Sequence, residues 1–162
     1  MNSFFCKLRL FRDNMTLEEY NKKRDFGKTT EPEGKVENKN DNIYVIQKHD
    51  ASHLHYDLRL EMNGVLKSWA VPKEPPIEKG VKRLAVATED HPIGYEDFEG
   101  TIPEGQYGAG TVEIWDKGSF ELEDMKKDRI VFHINGNKLK GKYVLLKFKG
   151  QEKNWLFFKV DK

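Results

Sequence analysis

From Ile43 onward, hydrophobic and polar residues alternate with period two over most of the chain, the mark of half-buried strands. "IYVIQK" is the first candidate strand. "HLHYDLRLEM" divides most cleanly, with His53, His55, Asp57, Arg59 and Glu61 on one face and Leu54, Tyr56, Leu58, Leu60 and Met62 on the other. Asn63-Gly64 follows, a favoured two-residue hairpin turn because both residues accept positive φ. "VLKSWAV" is the return strand, halted by Pro72 and then Pro75-Pro76, and "KRLAVATED" is another. "GTVEIWD" and "SFELED" are expected to form a hairpin around Lys117-Gly118, and "RIVFHI" and "KLKGKYVLLKF" a second around Asn135-Gly136. "WLFFKV" is the last strand. Upstream, Thr16 and Glu19 form a capping-box signature, predicting a short helix from Leu17 to about Arg24. "GKTTEPEGKVENKNDN" then reads as an extended arm. The expectation is a mainly β protein: a closed or nearly closed antiparallel β-barrel, since closure removes sheet edges, with a short N-terminal helix and an arm. Residues 15–42 are assigned to helix and arm and 43–162 to the barrel, with Trp69, Trp115 and Trp155 in its core. Residues 1–14 are expected to be a disordered extension or to precede the true start at Met15.

Composition adds limits. At 162 residues one domain with a core is the default. Lys+Arg 28 against Asp+Glu 27 leaves a net charge of +1, so nucleic-acid binding would depend on a local patch. The single cysteine, Cys6, allows no intrachain disulfide and suits a reducing cytoplasm, the expected location. No apolar run approaches a membrane span, and Lys7, Arg9 and Arg12 spoil the N-terminus as a signal peptide.

The chemistry concentrates in "QKHDASHLHYDLRLE". His55, Asp57 and Arg59 project in a row from one strand face, and Asp50-Ala51-Ser52 is enough chain to turn His49 alongside. Two imidazoles and a carboxylate make a nitrogen–oxygen site for Mn²⁺, Fe²⁺, Co²⁺ or Zn²⁺, with Arg59 suited to a phosphate or carboxylate. The alternative is the solvated face of an amphipathic strand. In "KRLAVATEDHPIGYEDF", Arg83, Ala85, Ala87, Glu89 and His91 are expected to share a face, the alanines leaving room for a substrate; the plainer reading is a surface Arg83–Glu89 pair and a turn histidine. Tyr95 would either donate to a ligand oxygen or pack in the core. "EGQYGAG" reads as a tight turn before a strand, because no helix follows it, and His133 reads as structural.

Together, "QKHDASHLHYDLRLE", "GVLKSWAVPK", "KRLAVATEDHPIGYEDFEGTIPEGQYGAG" and "VEIWDKG", preceded by "RDFGKTTEPEG", resemble the 3′-phosphoesterase module of bacterial and archaeal DNA ligase D. The resemblance is strong from Arg24 to Gly118 and weak elsewhere. It implies a Mn²⁺-dependent enzyme, with Co²⁺ or another divalent transition metal as the alternative. Such an enzyme removes a terminal ribonucleotide and then the remaining 3′-phosphate from a primer strand, leaving a 3′-OH. It implies His49, His55 and Asp57 as metal ligands, Arg59 and His91 at the scissile phosphate with Tyr95 nearby, and Gln47, Lys73, Arg83 and Glu89 in support. Arg24, Asp25 and Glu31 match required residues of the arm, and His53 has no assigned role. All these positions keep the family's residue type. The implied partners are DNA or DNA–RNA 3′ ends and a ligase or end-joining protein, for a stand-alone monomer without a membrane. Two rival readings are a non-haem Fe(II) oxygenase, whose third ligand would be His91 or His133, and a non-catalytic barrel that binds nucleic-acid ends through Arg59 and Arg83.

Overall fold

The computed structural model describes residues 17–37 and 40–160. Residues 1–14, Thr16 of the capping box and Cys6 lie outside the described residues. A short helix covers residues 17–22, and an extended arm follows it. Among the described residues, nine strands then form one antiparallel sheet: β1 Ile43–Asp50, β2 Leu54–Met62, β3 Val65–Val71, β4 Lys82–Pro92, β5 Gly100–Ile102, β6 Gly110–Lys126, β7 Arg129–Asn135, β8 Lys140–Lys147 and β9 Asn154–Lys159. Their order is β1-β2-β3-β4-β9-β8-β7-β6-β5, and β1 also pairs with β6. That pairing closes a ring of eight strands, leaving β5 outside it as a short partner of β6. Among the described residues, no helix is long and apolar enough to cross a membrane.

The interior is built by alternation. All eight ring strands contribute to one apolar cluster, including Tyr44 and Ile46 of β1, Leu58 and Leu60 of β2, Trp69 of β3, Ala85 of β4, Phe120 of β6, Phe132 of β7, Tyr143 of β8, and Trp155 and Phe157 of β9. Trp115 packs against it, partly buried. The opposite faces of β2 to β4 are not solvated as the face of an ordinary barrel would be. Asp57, Arg59 and Glu61 are as buried as their apolar neighbours. A second apolar cluster, which includes Tyr20, Leu66, Ile93, Tyr95, Phe98, Ile102 and Val112, lies on this outer side and carries the helix and arm.

Two expectations fail for identifiable reasons. Lys117-Gly118 is not a hairpin turn: β6 runs unbroken through it for 17 residues. At this point the strand changes partner, pairing with β1 up to Ser119 and with β7 from Ser119 onward. Gly118 is required there because a Cβ would collide with the Asn135 carbonyl. The actual turn falls between Lys126 and Arg129. Second, Ala85 and Ala87 do not line a groove. Ala85 is in the barrel core and Ala87 packs on it. A bulge sets Ser68 opposite Thr88 but Leu66 opposite His91, so β4 gains one residue there. The shift in phase carries Glu89 and His91 to the outer face, away from Ala85.

One buried carboxylate holds the return of the barrel. Asp116 accepts from Tyr44 Oη at 2.8 Å and from the backbone N–H groups of Asn137, Lys138 and Leu139 at 2.8, 2.9 and 2.9 Å. It thereby ties β1 and β6 to the β7–β8 connection. Asp116→Ala would strand these donors, and a loss on the order of 3 kcal/mol is expected. Urea unfolding measures it; a loss under about 1 kcal/mol would show that the turn holds without Asp116.

Candidate metal centre and active site

Register brings the candidate ligands together. In the β1–β2 pair His49 lies opposite His55 and Gln47 opposite Asp57, so all four share the outer face. His49 Nδ1 is 3.6 Å and His55 Nε2 3.3 Å from Asp57 Oδ2. One ligand atom from each of the three lies within 4.8 Å of the others.

The remaining ring nitrogens decide the tautomers. His49 Nε2 is 2.7 Å from the Gly108 carbonyl, and His55 Nδ1 is 2.9 Å from the His53 carbonyl. A carbonyl only accepts, so each of these nitrogens carries the proton. The lone pairs of His49 Nδ1 and His55 Nε2 are then turned toward Asp57. Two imidazole lone pairs converging on a carboxylate suit a cation, and the second hydrogen bond of each ring is how proteins orient metal-binding histidines. His53 contributes through its backbone; its side chain is exposed. Gly108 comes from the "EGQYGAG" turn, and its φ of 76° is in the left-handed region. A Cβ there would lie 3.4 Å from His49 Cε1. The turn set aside in the sequence is therefore a support of the site.

Next to the ligands lies a cavity of about 250 Å³, lined by His49, His55, Asp57, Arg59, Glu89, His91, Tyr95, Arg24, Glu31, Ala70, Tyr107 and Gly108 among others. Ala70, opposite Asp57 on β3, is the small residue that leaves room, in place of Ala85 and Ala87. Arg59 is held on several sides. Its Nε donates to Gln47 Oε1 at 2.7 Å, its Nη1 to Ser68 Oγ at 2.9 Å, and its Nη2 lies 3.5 Å from Asp57 Oδ2. Gln47 in turn donates to the carbonyls of Tyr95 and Phe98 at 2.7 and 3.0 Å. Burial opposes ionisation of Asp57, but the charge of Arg59 beside it holds its carboxyl well below the usual range. Burial also disfavours a charged His55, yet Asp57 raises its pKa overall.

The arm closes the other side. Arg24 Nε pairs with Glu31 at 3.0 Å, its Nη1 lies 3.6 Å from Glu89, and its guanidinium sits 3.8 Å above the Tyr20 ring. Glu31 also accepts from Tyr95 Oη at 2.6 Å and Thr29 Oγ1 at 2.9 Å. The Tyr95 ring lies in the outer apolar cluster with Arg59 above it. Burial, first, then the charges of Arg59 and Arg24 push the His91 pKa well below its usual value. His91 Nδ1 donates to the Glu89 carbonyl at 3.0 Å, leaving Nε2 as an acceptor 3.5 Å from Arg24 Nη2.

Four candidates do not line the cavity: Gln47 is buried against Arg59, and three others stand apart from the site. Lys73 is exposed in the segment after β3. Arg83 keeps the phase of Ala85, and its Nε donates to the Glu74 carbonyl. Asp25 is exposed and accepts from the Gly27 N–H, shaping the arm's turn. His133 is on β7, paired with Glu123 at the surface. Neither His133 nor His91 belongs to the ligand cluster, which removes the downstream ligand an oxygenase reading required. Sequence reasoning missed Tyr20, Ser68, Thr29 and Gly108; only the glycine-rich turn carried any signal.

Residues 47–147 match the family model for the DNA ligase D 3′-phosphoesterase domain, and the chain belongs to that family. It is 48% identical over 154 residues to the multifunctional non-homologous end joining protein LigD of Pseudomonas aeruginosa, covering 89% of this chain and 18% of that protein. The LigD proteins of Mycolicibacterium smegmatis and Mycobacterium tuberculosis are 48% and 44% identical, each over 86% of this chain and about a fifth of their own length. The chain thus spans about a fifth of the length of these relatives.

Replacing one candidate ligand tests the centre independently of turnover. Asp57→Asn is expected to weaken divalent-cation binding at least about 10-fold, since even outer partners of metal ligands are worth about 10- to 100-fold. Calorimetric titration measures this; unchanged affinity would show that the ion binds elsewhere.

Proposed function

We propose that this chain is a metal-dependent 3′-phosphoesterase that heals DNA 3′ ends, releasing a terminal ribonucleoside and then the 3′-phosphate to leave a 3′-OH for end joining. The observation that carries this is the tautomer-locked His49–His55–Asp57 cluster sharing one cavity with two buried guanidiniums. The family and its end-joining relatives support DNA ends as the substrate. The donor set fits Mn²⁺, with Co²⁺ as the alternative. An ion held by His49, His55 and Asp57 would supply Lewis-acid charge against the phosphate anion.

The chain's own residues account for the remaining steps. Arg59, immobilised by Gln47 and Ser68, presents fixed positive charge to a nonbridging oxygen without having to reorganise. Arg24 extends that charge from the arm. His91 is neutral before substrate arrives. A bound phosphate offsets the repulsion from Arg24 and Arg59, which raises the proton affinity of Nε2. His91 can then pass a proton to the leaving oxygen. In the first step this is the 5′-oxygen of the terminal nucleoside; in the second it is the 3′-oxygen of the primer. In both, water supplies the oxygen that joins phosphorus. Tyr95 keeps its proton, donates it in a hydrogen bond to Glu31 and holds the wall of the site. Lys73 and Arg83, outside the cavity, are assigned to the approach of the nucleic-acid strand.

The test is a 5′-labelled duplex ending in 3′-phosphate, incubated with the protein and a series of divalent metals. Conversion to a 3′-OH is expected with Mn²⁺ and not with chelator. Binding without conversion under any metal would leave the end-binding module as the correct reading. Asp57→Ala and His55→Ala are expected to abolish turnover with the fold intact by circular dichroism, and Arg59→Ala to lower kcat/KM at least about 100-fold, as loss of a transition-state charge donor does. Wild-type rates in the ligand variants would exclude the site.

A further inference from the structure

Tyr107 is the one large aromatic residue at the mouth of this cavity that is substantially exposed among the described residues, at 47%. Nothing in the chemistry above uses it. Its position is nonetheless well determined. The next residue, Gly108, accepts from His49 Nε2, and the turn is closed by bonds from the Gln106 N–H to the Pro103 carbonyl and from the Ala109 N–H to the Gln106 carbonyl. The backbone that carries the ring is thus fixed relative to the candidate metal ligands. The arm flanks it: Lys23 Nζ lies 4.8 Å and Arg24 Cζ 5.3 Å from the ring centroid.

The size of the cavity indicates what meets this ring. At about 250 Å³ it is below the ~300–1,000 Å³ of sites that enclose a drug-sized ligand. A phosphate with its sugar would take up such a space, which would leave the attached base at the mouth. On the side of Tyr107 the mouth is bounded by the arm, which suits a single nucleoside. Ser52 also lines the cavity and is exposed together with His53 and Leu54, so the rim there offers a path for a strand that continues into duplex. We infer that Tyr107 is the stacking platform for the base of the 3′-terminal nucleoside released in the first step, making it a specificity residue for nucleoside-bearing ends. This rests on the phosphoesterase reading. Stacking tolerates any base, so the preference would be for the presence of a base and not for its identity.

The experiment compares two primer–template ends with Mn²⁺, one carrying a terminal ribonucleoside and the other a 3′-phosphate. In Tyr107→Ala the ratio of kcat/KM for nucleoside release to that for phosphate release is expected to fall about 10-fold, within the range of base–aromatic stacking. Tyr107→Phe should restore the wild-type ratio, because the ring and not the hydroxyl acts. With wild-type protein, a terminal ribose that lacks its base should lose a similar factor. An unchanged ratio in Tyr107→Ala, or full activity on the baseless end, overturns the inference; equal losses on both ends would show that the ring acts by holding Arg24. Wild-type protein inactive on both ends would instead remove the phosphoesterase reading, a separate result.

Discussion

Arg24 and Arg59 face one cavity with side chains only 4% exposed, and a guanidinium cannot escape its charge by losing a proton. Each must therefore be met by fixed counter-charge. Asp57 meets Arg59, with the neutral Gln47 accepting a further hydrogen bond; Glu31 and Glu89 meet Arg24. Removing one member of such a set leaves a buried charge uncompensated at a cost of about 3–5 kcal/mol. This requirement explains why the arm lies where it does, why Tyr95 donates to Glu31, and why His91 is kept neutral between two cations. It also prepares the cavity for an anion: the counter-charges stand at its walls, and the space between the guanidiniums is where a phosphate would be most stabilised.

The barrel supplies the rigidity for this arrangement. Its apolar interior is complete on all eight ring strands, so the outer face of β1 to β4 is free to carry polar groups without weakening the core. Antiparallel register then sets neighbours at fixed spacing: His49 with His55, Gln47 with Asp57, Arg59 with Ser68. The turn through Gly108 and the arm finish the enclosure from outside the ring. The site is therefore a junction of three parts, each contributing polar groups that the other two cannot.

The period-two pattern made β1, β2, β3 and β9 legible, and the alternation of β2 separated the core side chains from the row of His55, Asp57 and Arg59. It failed at two positions where the backbone leaves regular geometry. The Lys117-Gly118 pair has the composition of a turn, but Gly118 serves a close backbone contact in a continuous strand. The bulge in β4 reverses the phase between Ala85 and His91, and a bulge leaves no mark in a hydrophobic pattern. Burial of the polar face was equally hidden, because nothing in "RDFGKTTEPEG" states that Arg24 and Glu31 will fold back over β4.

By itself the sequence determined the β class, the apolar lining of the barrel and the residue types available for chemistry, because these follow from local alternation and side-chain chemistry. Only the tertiary structure decided which of the candidates meet. It joined His49 to His55 and Asp57, gave Arg59 its fixed partners, and left Lys73, Arg83 and Asp25 outside the cavity. It also brought in Tyr20, Ser68, Tyr107 and the Gly108 carbonyl. The physical reason is that a charged or polar group acquires its role from the groups packed against it, and in a closed barrel with an overlaid arm those neighbours are distant in the chain.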